Sequence, residues 1–313
     1  MKSTRQTYQT RHRLSVGIIT KDRPKDIVAC LDSIKKQSVF PNELIVVDSS
    51  TNNLTKDLIR VFKDNVKYPV MYIYEPQIGF PIARNRVLNR AKYRWLAFTD
   101  DDCVLDQNWV KEIKKMINKY PSLSAIAGES KPYFVHNIVS QAVNFNEQHW
   151  KKRVIRNQDI LDLETLDNKN VVYNLSFLDS RNICYDKNRT SFFGASDDCD
   201  LGMQIQKSGG KAKFNPKMIV YHKDLIDLHS YTKRIFIRSK AHATYEHKWQ
   251  VFRNQMGFES FKQTRFIKFF FNYIRDHNLN IFETFLLFFL LVYSSLLVKC
   301  IKFSIKFGFN HDK

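Results

Sequence analysis

The sequence lacks the cysteine spacings that build disulfide frameworks or structural zinc sites. Its five cysteines are odd in number, and no two of them show C-x-x-C spacing. Small disulfide-linked and zinc-dependent domains are typically recognised by such spacings. The sequence therefore argues against both classes and favours a reducing compartment.

An apolar segment is also lacking behind the N-terminus. The first 13 residues, MKSTRQTYQTRHR, are basic and polar, which is not typical of a secretory signal. We therefore expect a catalytic part that faces the cytoplasm.

The sequence has no internal repeat, and the histidines of HATYEH (242–247) do not follow the H-E-x-x-H order of a metalloprotease.

Negative charge is scarce relative to positive charge. Lys and Arg total 50 against 31 Asp and Glu, a net charge of +19, which predicts an anionic partner. Residues 230–313 hold 14 Lys or Arg against 5 Asp or Glu, a net charge of +9, together with the most apolar stretch. A nucleic-acid-binding protein would interleave basic and aromatic residues on one surface. The pattern here favours a membrane surface, and we predict no nucleic-acid partner.

Apolar runs and amphipathic segments alternate through the first hundred residues. Between the first two runs, apolar residues recur at helical spacing in segment 27–34. This β-α alternation predicts an α/β fold, with a mostly parallel, Rossmann-like sheet flanked by helices. The predicted strands are LSVGII (14–19), ELIVV (43–47), VMYIY (70–74) and RWLAFTD (94–100).

Polar residues follow three of these predicted strands. They are Thr20, Asp22 and Arg23 after the first, Asp48 after the second, and 100–102 after the fourth. Parallel sheets bind ligands outside the carboxyl ends of their strands. The strand pattern therefore predicts a ligand site at this edge.

Three consecutive aspartates, Asp100 to Asp102, end the fourth predicted strand. Repulsion between close carboxylates raises their pKa values unless a cation or a donor offsets it. Hard divalent ions prefer such oxygen ligands and share them with substrate phosphates. The alternative is a solvated acidic loop that caps the next helix.

A second acidic cluster, SDDCD, spans residues 196–200 before a predicted helix from Asp200 to Lys207. Helix capping is one explanation, since aspartate is favoured in a first helical turn. The other is a division of labour, in which one cluster holds a metal and the leaving group while the second accepts a proton. Downstream, the predicted strand KMIVYH ends at His222.

Five segments resemble the family 2 glycosyltransferases of the GT-A fold, in the expected order over residues 14–222. The resemblance implies a nucleotide-sugar-dependent, inverting enzyme of the hexosyl-transferring type. The segments are LSVGIITKDRP, CLDSIKKQ, PNELIVVDSS, IGFPIARNRVLNRAKYRWLAFTDDDC and DDCDLGMQIQKSGGKAKFNPKMIVYH.

The resemblance implies a donor-binding set in the first half of the chain. Asp48 would bind the base or ribose, and the loop with Thr20, Asp22 and Arg23 would cover the same nucleotide. Arg84, in the stretch G-x-x-x-A-R-N, would contact the nucleotide or stabilise phosphate charge. A UDP-sugar is the default donor.

The resemblance also implies a divalent cation, Mg²⁺ or Mn²⁺. Asp100 and Asp102 match the D-x-D motif, with Asp102 as the direct ligand and Asp101 beside the donor. His222 matches a histidine that some members place near the metal or diphosphate, although a lone histidine is more often structural.

The acceptor half matches the family less closely. Asp198 matches the aspartate of the E-D motif, the general base, and Asp197 stands where the family has glutamate. Residues 131–190 are polar and irregular, predict loops over the site and lack a glycine-rich segment. SRNICY (180–185) matches the acceptor-side stretch only loosely.

The apolar stretch near the C-terminus, TFLLFFLLVYSSLLV (284–298), has 15 residues without a charge. A membrane-spanning helix needs about 20. Interfacial helices or a shallow hairpin are therefore favoured, and a buried core helix is the alternative. We expect a peripheral or shallowly inserted protein at the cytoplasmic face of the membrane.

The sequence thus predicts a transferase that acts on a hydroxyl of a glycan or a lipid-linked acceptor. A non-catalytic sugar-nucleotide-binding protein or membrane scaffold with the same fold is the alternative. The predicted parts are a basic tail (1–13), a catalytic domain (14–225) with a nucleotide-sugar half (14–130) and an acceptor half (131–225), and a helical segment (226–313).

Overall fold

The computed structural model describes residues 9–188, 196–255 and 266–308. Within these residues the strands are β1 (Gln9–Thr20), β2 (Glu43–Asp48), β3 (Val70–Tyr74), β4 (Tyr93–Phe98), β5 (Cys103–Leu105), β6 (Ala125–Pro132), β7 (Ile155–Arg156), β8 (Asp159–Ile160), β9 (Val171–Asn174) and β10 (Ala212–His222). The α-helices are α1 (Pro24–Lys35), α2 (Leu54–Asp64), α3 (Phe80–Arg90), α4 (Trp109–Lys119), α5 (Ile138–Lys152), α6 (Leu175–Ser180), α7 (Asp197–Lys207), α8 (Leu228–Gln255), α9 (Phe266–Asp276) and α10 (Ile281–Gly308). Two short 3₁₀ turns, Leu163–Thr165 and Asn168–Asn170, complete these elements.

One sheet joins these strands in the order β3-β2-β1-β4-β9-β6-β10-β8-β7, with β5 beside β10. The four predicted strands pair in parallel as β3, β2, β1 and β4. Beyond β4 the sheet turns antiparallel, because β9 pairs antiparallel with both β4 and β6. The sheet is therefore mixed, and its parallel part coincides with the predicted nucleotide-sugar half.

Alternate residues of the parallel strands face two helical layers. Leu14, Val16 and Ile18 of β1 lie in a buried core with apolar residues of α1, α2 and α4. On the opposite face Gly17 lies against Val87 of α3, where an added Cβ would come within 2.4 Å of the Val87 side chain. The predicted α/β sheet flanked by helices is confirmed.

The predicted loop region 131–190 contains regular structure. It includes the 15-residue helix α5 and the central strand β9, and only its last two residues lie outside the described part of the chain. Its polar residues have structural roles: the buried side chain of Asn170 donates hydrogen bonds to the carbonyls of Glu129 and Met218. A polar composition hid these elements, because buried amides such as Asn170 have the composition of a loop when only the sequence is considered.

Two compact units divide the chain, one of residues 1–131 and 155–222 and the other of 132–154 and 223–313. The second unit brings α5 together with α8, α9 and α10 around its own apolar cluster. The predicted division placed 132–154 with the catalytic domain and began the helical segment at 226. Residues 9–13 of the predicted tail belong to β1, and residues 1–8 lie outside the described residues.

In the second unit, α10 contains the uncharged run predicted at 284–298. Among residues 9–188, 196–255 and 266–308, one helix, Ile281–Ile305, is long and apolar enough to cross a membrane. Only 17% of its most apolar part is buried. The alternative of a buried core helix therefore does not describe it.

Close packing of α7 against the turn Leu163–Thr165 gives a test of the first unit. A Cβ at Gly202 would lie 1.8 Å from the carbonyl oxygen of Leu163. We expect Gly202→Ala to lower the free energy of unfolding by about 1–3 kcal/mol, because overpacking forces the backbone apart. Urea unfolding followed by circular dichroism measures the change.

Gly209 provides the control. Its φ of +75° ends α7, and a Cβ there would meet no atom of the described residues within 4 Å. Asparagine tolerates this left-handed conformation. Gly209→Asn should therefore unfold close to wild type, and equal losses in both variants would contradict the packing argument.

Candidate active site

The predicted residues of the donor half meet at the carboxyl ends of the parallel strands. Thr20 and Asp48 are the last residues of β1 and β2, and they are register partners in the parallel ladder. The acidic triplet follows β4, on the other side of β1. The strand order β2-β1-β4 therefore brings together three segments that are far apart in sequence.

The three aspartates of the triplet have different surroundings. Asp101 is buried, and its two carboxylate oxygens accept hydrogen bonds from the Thr20 hydroxyl at 2.7 Å and Arg23 Nη1 at 3.2 Å. Asp100 and Asp102 keep 31% and 16% of their side chains exposed. The outer two aspartates thus reach solvent, whereas Asp101 connects the loop after β1 to the end of β4.

Two arginines offset the negative charge of the triplet. Arg23 Nη1 also donates to Asp102 Oδ2 at 2.9 Å, and Arg84 Nη2 donates to Asp100 Oδ1 at 3.4 Å. Burial would lower the pKa of Arg84, but the carboxylates of Asp197 and Asp100 outweigh it and raise that pKa. Both guanidinium groups therefore stay charged.

The carboxylates themselves hold protons more strongly than free aspartate. Burial, with repulsion from Asp102, raises the pKa of Asp101 to about 7. Burial likewise raises the pKa of Asp100, against the opposing effect of Arg84. A cation at this site would favour the ionised carboxylates, because its positive charge would offset the repulsion between them.

His222 reaches the triplet through strand pairing. The short strand β5, which directly follows the aspartates, runs antiparallel to β10, and Cys103 is the register partner of His222. The His222 Nε2 atom lies 3.3 Å from Asp102 Oδ1, and the side chain is 8% exposed. The structure therefore brings the predicted histidine beside the predicted metal ligand.

The donor atoms of this cluster fit a divalent cation. Ligand atoms of Asp102, Cys103 and His222 lie within 4.8 Å of one another. Burial raises the pKa of the Cys103 thiol well above its usual value, and thiol ligands suit softer metal ions than carboxylate oxygens do. Carboxylate oxygens suit Mg²⁺ and Mn²⁺.

The two acidic clusters are connected by Arg84. Its Nη1 donates to Asp197 Oδ2 at 2.5 Å, while its other terminal nitrogen faces Asp100. The guanidinium lies over the rings of Phe80 and Tyr185, with its Cζ 5.3 and 5.9 Å from the two ring centroids. Arg84 is thus held by protein groups, and its predicted contact with a nucleotide stays a prediction.

The predicted general base lies in the first turn of α7. This helix begins at Asp197, three residues earlier than predicted, so both Asp197 and Asp198 lie near its positive end. Burial raises the pKa of Asp197 to about 6 although Arg84 opposes the effect, and Asp198 is only partly buried. Of the two, Asp198 is the one open to a substrate.

The nucleotide-side residues hold two loops in place. Asp48 is buried and accepts hydrogen bonds from the Ser50 amide and the Tyr72 hydroxyl, both at 2.9 Å. Asp22, with a φ of 54°, accepts from the backbone amide and the hydroxyl of Thr51 at 2.8 and 2.9 Å. The loops after β1 and β2 therefore form one connected edge.

Sequence reasoning missed several residues of this edge. Tyr72 occupies a predicted strand, yet its hydroxyl binds Asp48, and Tyr185 comes from the stretch that matched the family loosely. The side chain of Asn85 fixes Tyr185, because it donates a hydrogen bond to the Tyr185 carbonyl and accepts one from the Tyr185 amide. The only sequence signal for the position of Tyr72 was the alternation of side chains along β3. This alternation places Tyr72 on the same sheet face as Val70, a residue of the buried core.

Residues 15–166 match the family described as Glycosyl transferase family 2. Among curated relatives, Glycosyltransferase GlyA of Streptococcus pneumoniae is 26% identical over 118 residues, which are 36% of this chain and 17% of GlyA. The aligned regions cover only 17% to 45% of the lengths of the first three such relatives.

Two solved structures share the fold. The mannosyltransferase PcManGT of Pyrobaculum calidifontis, in complex with GDP-Man and Mn²⁺, superposes with a TM-score of 0.57 at 18% identity, covering 77% of this chain and 64% of PcManGT. S. aureus TarS 1–349 in complex with UDP gives 0.55 at 15% identity, covering 95% and 92%. The predicted GT-A fold is confirmed. Residues 15–166, just under half of the chain, are similar to glycosyl transferase family 2.

Proposed function

We propose that the protein transfers a sugar from a nucleoside diphosphate sugar to an acceptor hydroxyl, with inversion at the anomeric carbon. One observation carries the proposal: Asp48, the triplet 100–102 and the pair 197–198 converge on one edge of the sheet, and Arg84 connects the two clusters. A donor and an acceptor could thus be held side by side at this edge.

The donor would lie along the ends of β1, β2 and β4. Asp48 with Tyr72 would hold the nucleoside, and the loop pinned by Asp22 and Thr51 would cover it. The solved neighbours described above were obtained with GDP-Man and with UDP, which supports a nucleotide-sugar donor. We take a UDP-sugar as the default.

Asp102, Asp100 and His222 would hold a divalent cation, Mg²⁺ or Mn²⁺. When bound, such a cation would act as a Lewis acid that neutralises the departing diphosphate. The neighbour crystallised with Mn²⁺ supports this assignment. Arg23, which contacts Asp101 and Asp102, adds a fixed positive charge next to the same groups.

Asp198 would act as the general base. As the acceptor oxygen bonds to the anomeric carbon and the bond to the diphosphate oxygen breaks, Asp198 takes the hydroxyl proton. Asp197 is a positioning residue in this scheme, because its carboxylate is buried against Arg84. We propose a glycan or lipid-linked acceptor, and the exposed apolar face of α10 supports the lipid-linked form.

Removing the base tests the proposal most directly. We expect Asp198→Asn to slow release of nucleoside diphosphate by about 10²- to 10⁴-fold, since the acceptor proton loses its receiver. A panel of UDP- and GDP-sugars measures release, and calorimetry with UDP and Mn²⁺ should show unchanged binding. Asp57→Asn, an exposed acid of α2, is the matched control. Wild-type release from Asp198→Asn would exclude the assignment.

Metal binding should depend on pH. Because burial raises the pKa of Asp101 to about 7 and that of Asp100 as well, protons compete with a cation at lower pH. Mn²⁺ should therefore raise the thermal midpoint more at about pH 8 than at about pH 6. Asp102→Ala should remove the Mn²⁺-dependent shift at both pH values. A shift that persists in this variant would place the metal elsewhere.

The ion pair between the clusters should stabilise the site as a unit. Arg84→Gln leaves Asp197 buried without its partner, and we expect a loss of about 3–5 kcal/mol in the free energy of unfolding. Adding Asp197→Asn should recover part of that loss, because the uncompensated charge is gone. Urea unfolding of the single and double variants measures the coupling, and strictly additive losses would argue against it.

A further inference from the structure

Helix α10 has one buried face and one exposed face, and both are apolar. Leu287, Leu291, Ser294 and Ile301 are buried at helical spacing within the second unit. The exposed side chains lie on the other face with 40% to 65% of their surface accessible. They are Phe285, Phe289, Val292, Leu296 and Phe303, here called the α10 stripe.

The neighbouring helix α9 adds to this apolar surface. Ile267 and Phe271 lie one turn apart and are 68% and 65% exposed. The rings of Phe270 and Phe288 pack edge to face at 6.2 Å, which joins α9 to α10. Exposed apolar residues gathered in this way mark an interaction surface, whereas single exposed ones are ordinary.

Basic residues flank the apolar surface. Lys268 follows Ile267 on α9, and Lys299 and Lys302 lie in the last turns of α10, all exposed. Residues 230–313 as a whole carry a net charge of +9, from 14 Lys or Arg against 5 Asp or Glu. Aromatic and aliphatic side chains bordered by lysines complement the anionic interface of a phospholipid bilayer.

The buried face of α10 is held by a charged helix. Lys302 Nζ donates to Glu246 of α8 at 3.0 Å, and the hydroxyls of Tyr293 and Thr232 lie 2.8 Å apart. Arg238 of α8 is in turn paired with Glu147 of α5. Turning α10 across a bilayer would take these ion pairs into hydrocarbon, which costs several kcal/mol for each ion, or would strip α8 from α10.

The length of the uncharged run within α10 argues in the same direction. The uncharged run 284–298 has 15 residues, and at a rise of about 1.5 Å per residue it covers about 22 Å. The hydrocarbon core of a bilayer is about 30 Å thick. A helix that lies in the membrane plane faces no such shortfall, because only its outer face enters the lipid.

We infer that α10 anchors the protein in the plane of an anionic phospholipid bilayer. The α10 stripe enters the boundary between headgroups and acyl chains, Lys268 and Lys299 contact the headgroups, and α8 stays on the aqueous side. The whole helix Ile281–Ile305 is long enough to cross a bilayer, but its uncharged run of 15 residues is too short for the hydrocarbon core, and it binds as an interfacial helix. The inference goes beyond the proposed transfer reaction and does not depend on it.

Vesicle flotation of the full chain tests the anchor. Vesicles of equal parts phosphatidylcholine and phosphatidylglycerol should retain the protein, and phosphatidylcholine alone should retain it less. Phe285→Ser with Phe289→Ser should weaken binding at least about tenfold, because each phenylalanine loses its transfer from water to lipid. Both side chains are more than half exposed, so circular dichroism and thermal unfolding should match wild type.

Leu54→Ser with Val61→Ser is the matched control. These residues of α2 are 57% and 60% exposed and belong to the other compact unit, so vesicle binding should not change. Equal losses in both double variants, or no vesicle binding by wild type, would overturn the inference. So would a concentration-dependent dimer that the α10 double variant abolishes, because the stripe would then be an interface between two copies.

Probe depth distinguishes an in-plane helix from a span. With the exposed Cys184 and Cys300 replaced by serine, single cysteines at 285, 289, 292 and 296 can carry a fluorescent label. Quenching by lipids brominated at defined depths should place all four labels at one shallow depth. A depth that increases steadily from residue 285 to residue 296 would indicate a span and would overturn the in-plane assignment.

Discussion

Repulsion among carboxylates at one edge of the sheet is the constraint on which the site depends. Asp100, Asp101, Asp102 and Asp197 are crowded there, and burial raises the pKa of three of them. Two guanidinium groups offset this charge, Arg23 at one end of the triplet and Arg84 between the two clusters. The arginines thus let a folded chain keep an acidic edge in the absence of a bound cation or donor.

The same balance separates the roles of the aspartates. Asp101 and Asp197 have their oxygens directed to protein donors and are almost fully buried. Asp100, Asp102 and Asp198 keep access to solvent. In each cluster, the buried carboxylate binds protein donors and so fixes the position of a loop or a helix. Its more exposed neighbours are accessible to a ligand.

In the second compact unit, the dominant constraint is exposed apolar surface and not charge. Its helices bury one apolar face of α10 and leave an equally apolar face exposed, so apolar area rather than charge is left uncompensated. An aqueous environment opposes such exposure at roughly 25 cal/mol for each Å². A lipid interface removes the cost, as a cation would offset the charge of the acidic edge.

Local patterns in the sequence determined the donor half. The continuous apolar runs of β1, β2, β3 and β4, separated by helical segments, predicted the parallel strands and therefore the edge at which Thr20, Asp48 and the triplet meet. Parallel strands with helical crossovers are local units, so their spacing can be read along the chain. The resemblance to a glycosyltransferase family implied roles for these positions, and both the resemblance over residues 15–166 and the fold were confirmed.

Features that rest on long-range pairing became apparent in the folded chain alone. The placement of β9 beside β4, the pairing of β5 with β10 that brings His222 to Asp102, and the contact of Arg84 with Asp197 join residues too far apart for any periodicity to reveal. The grouping of α5 with the C-terminal helices is of the same kind. Local patterns along the chain were enough to indicate which segments form the sheet edge and which are apolar. Tertiary packing decided which carboxylates are buried and which face of α10 stays exposed, because burial depends on neighbours that the chain brings together only when it folds.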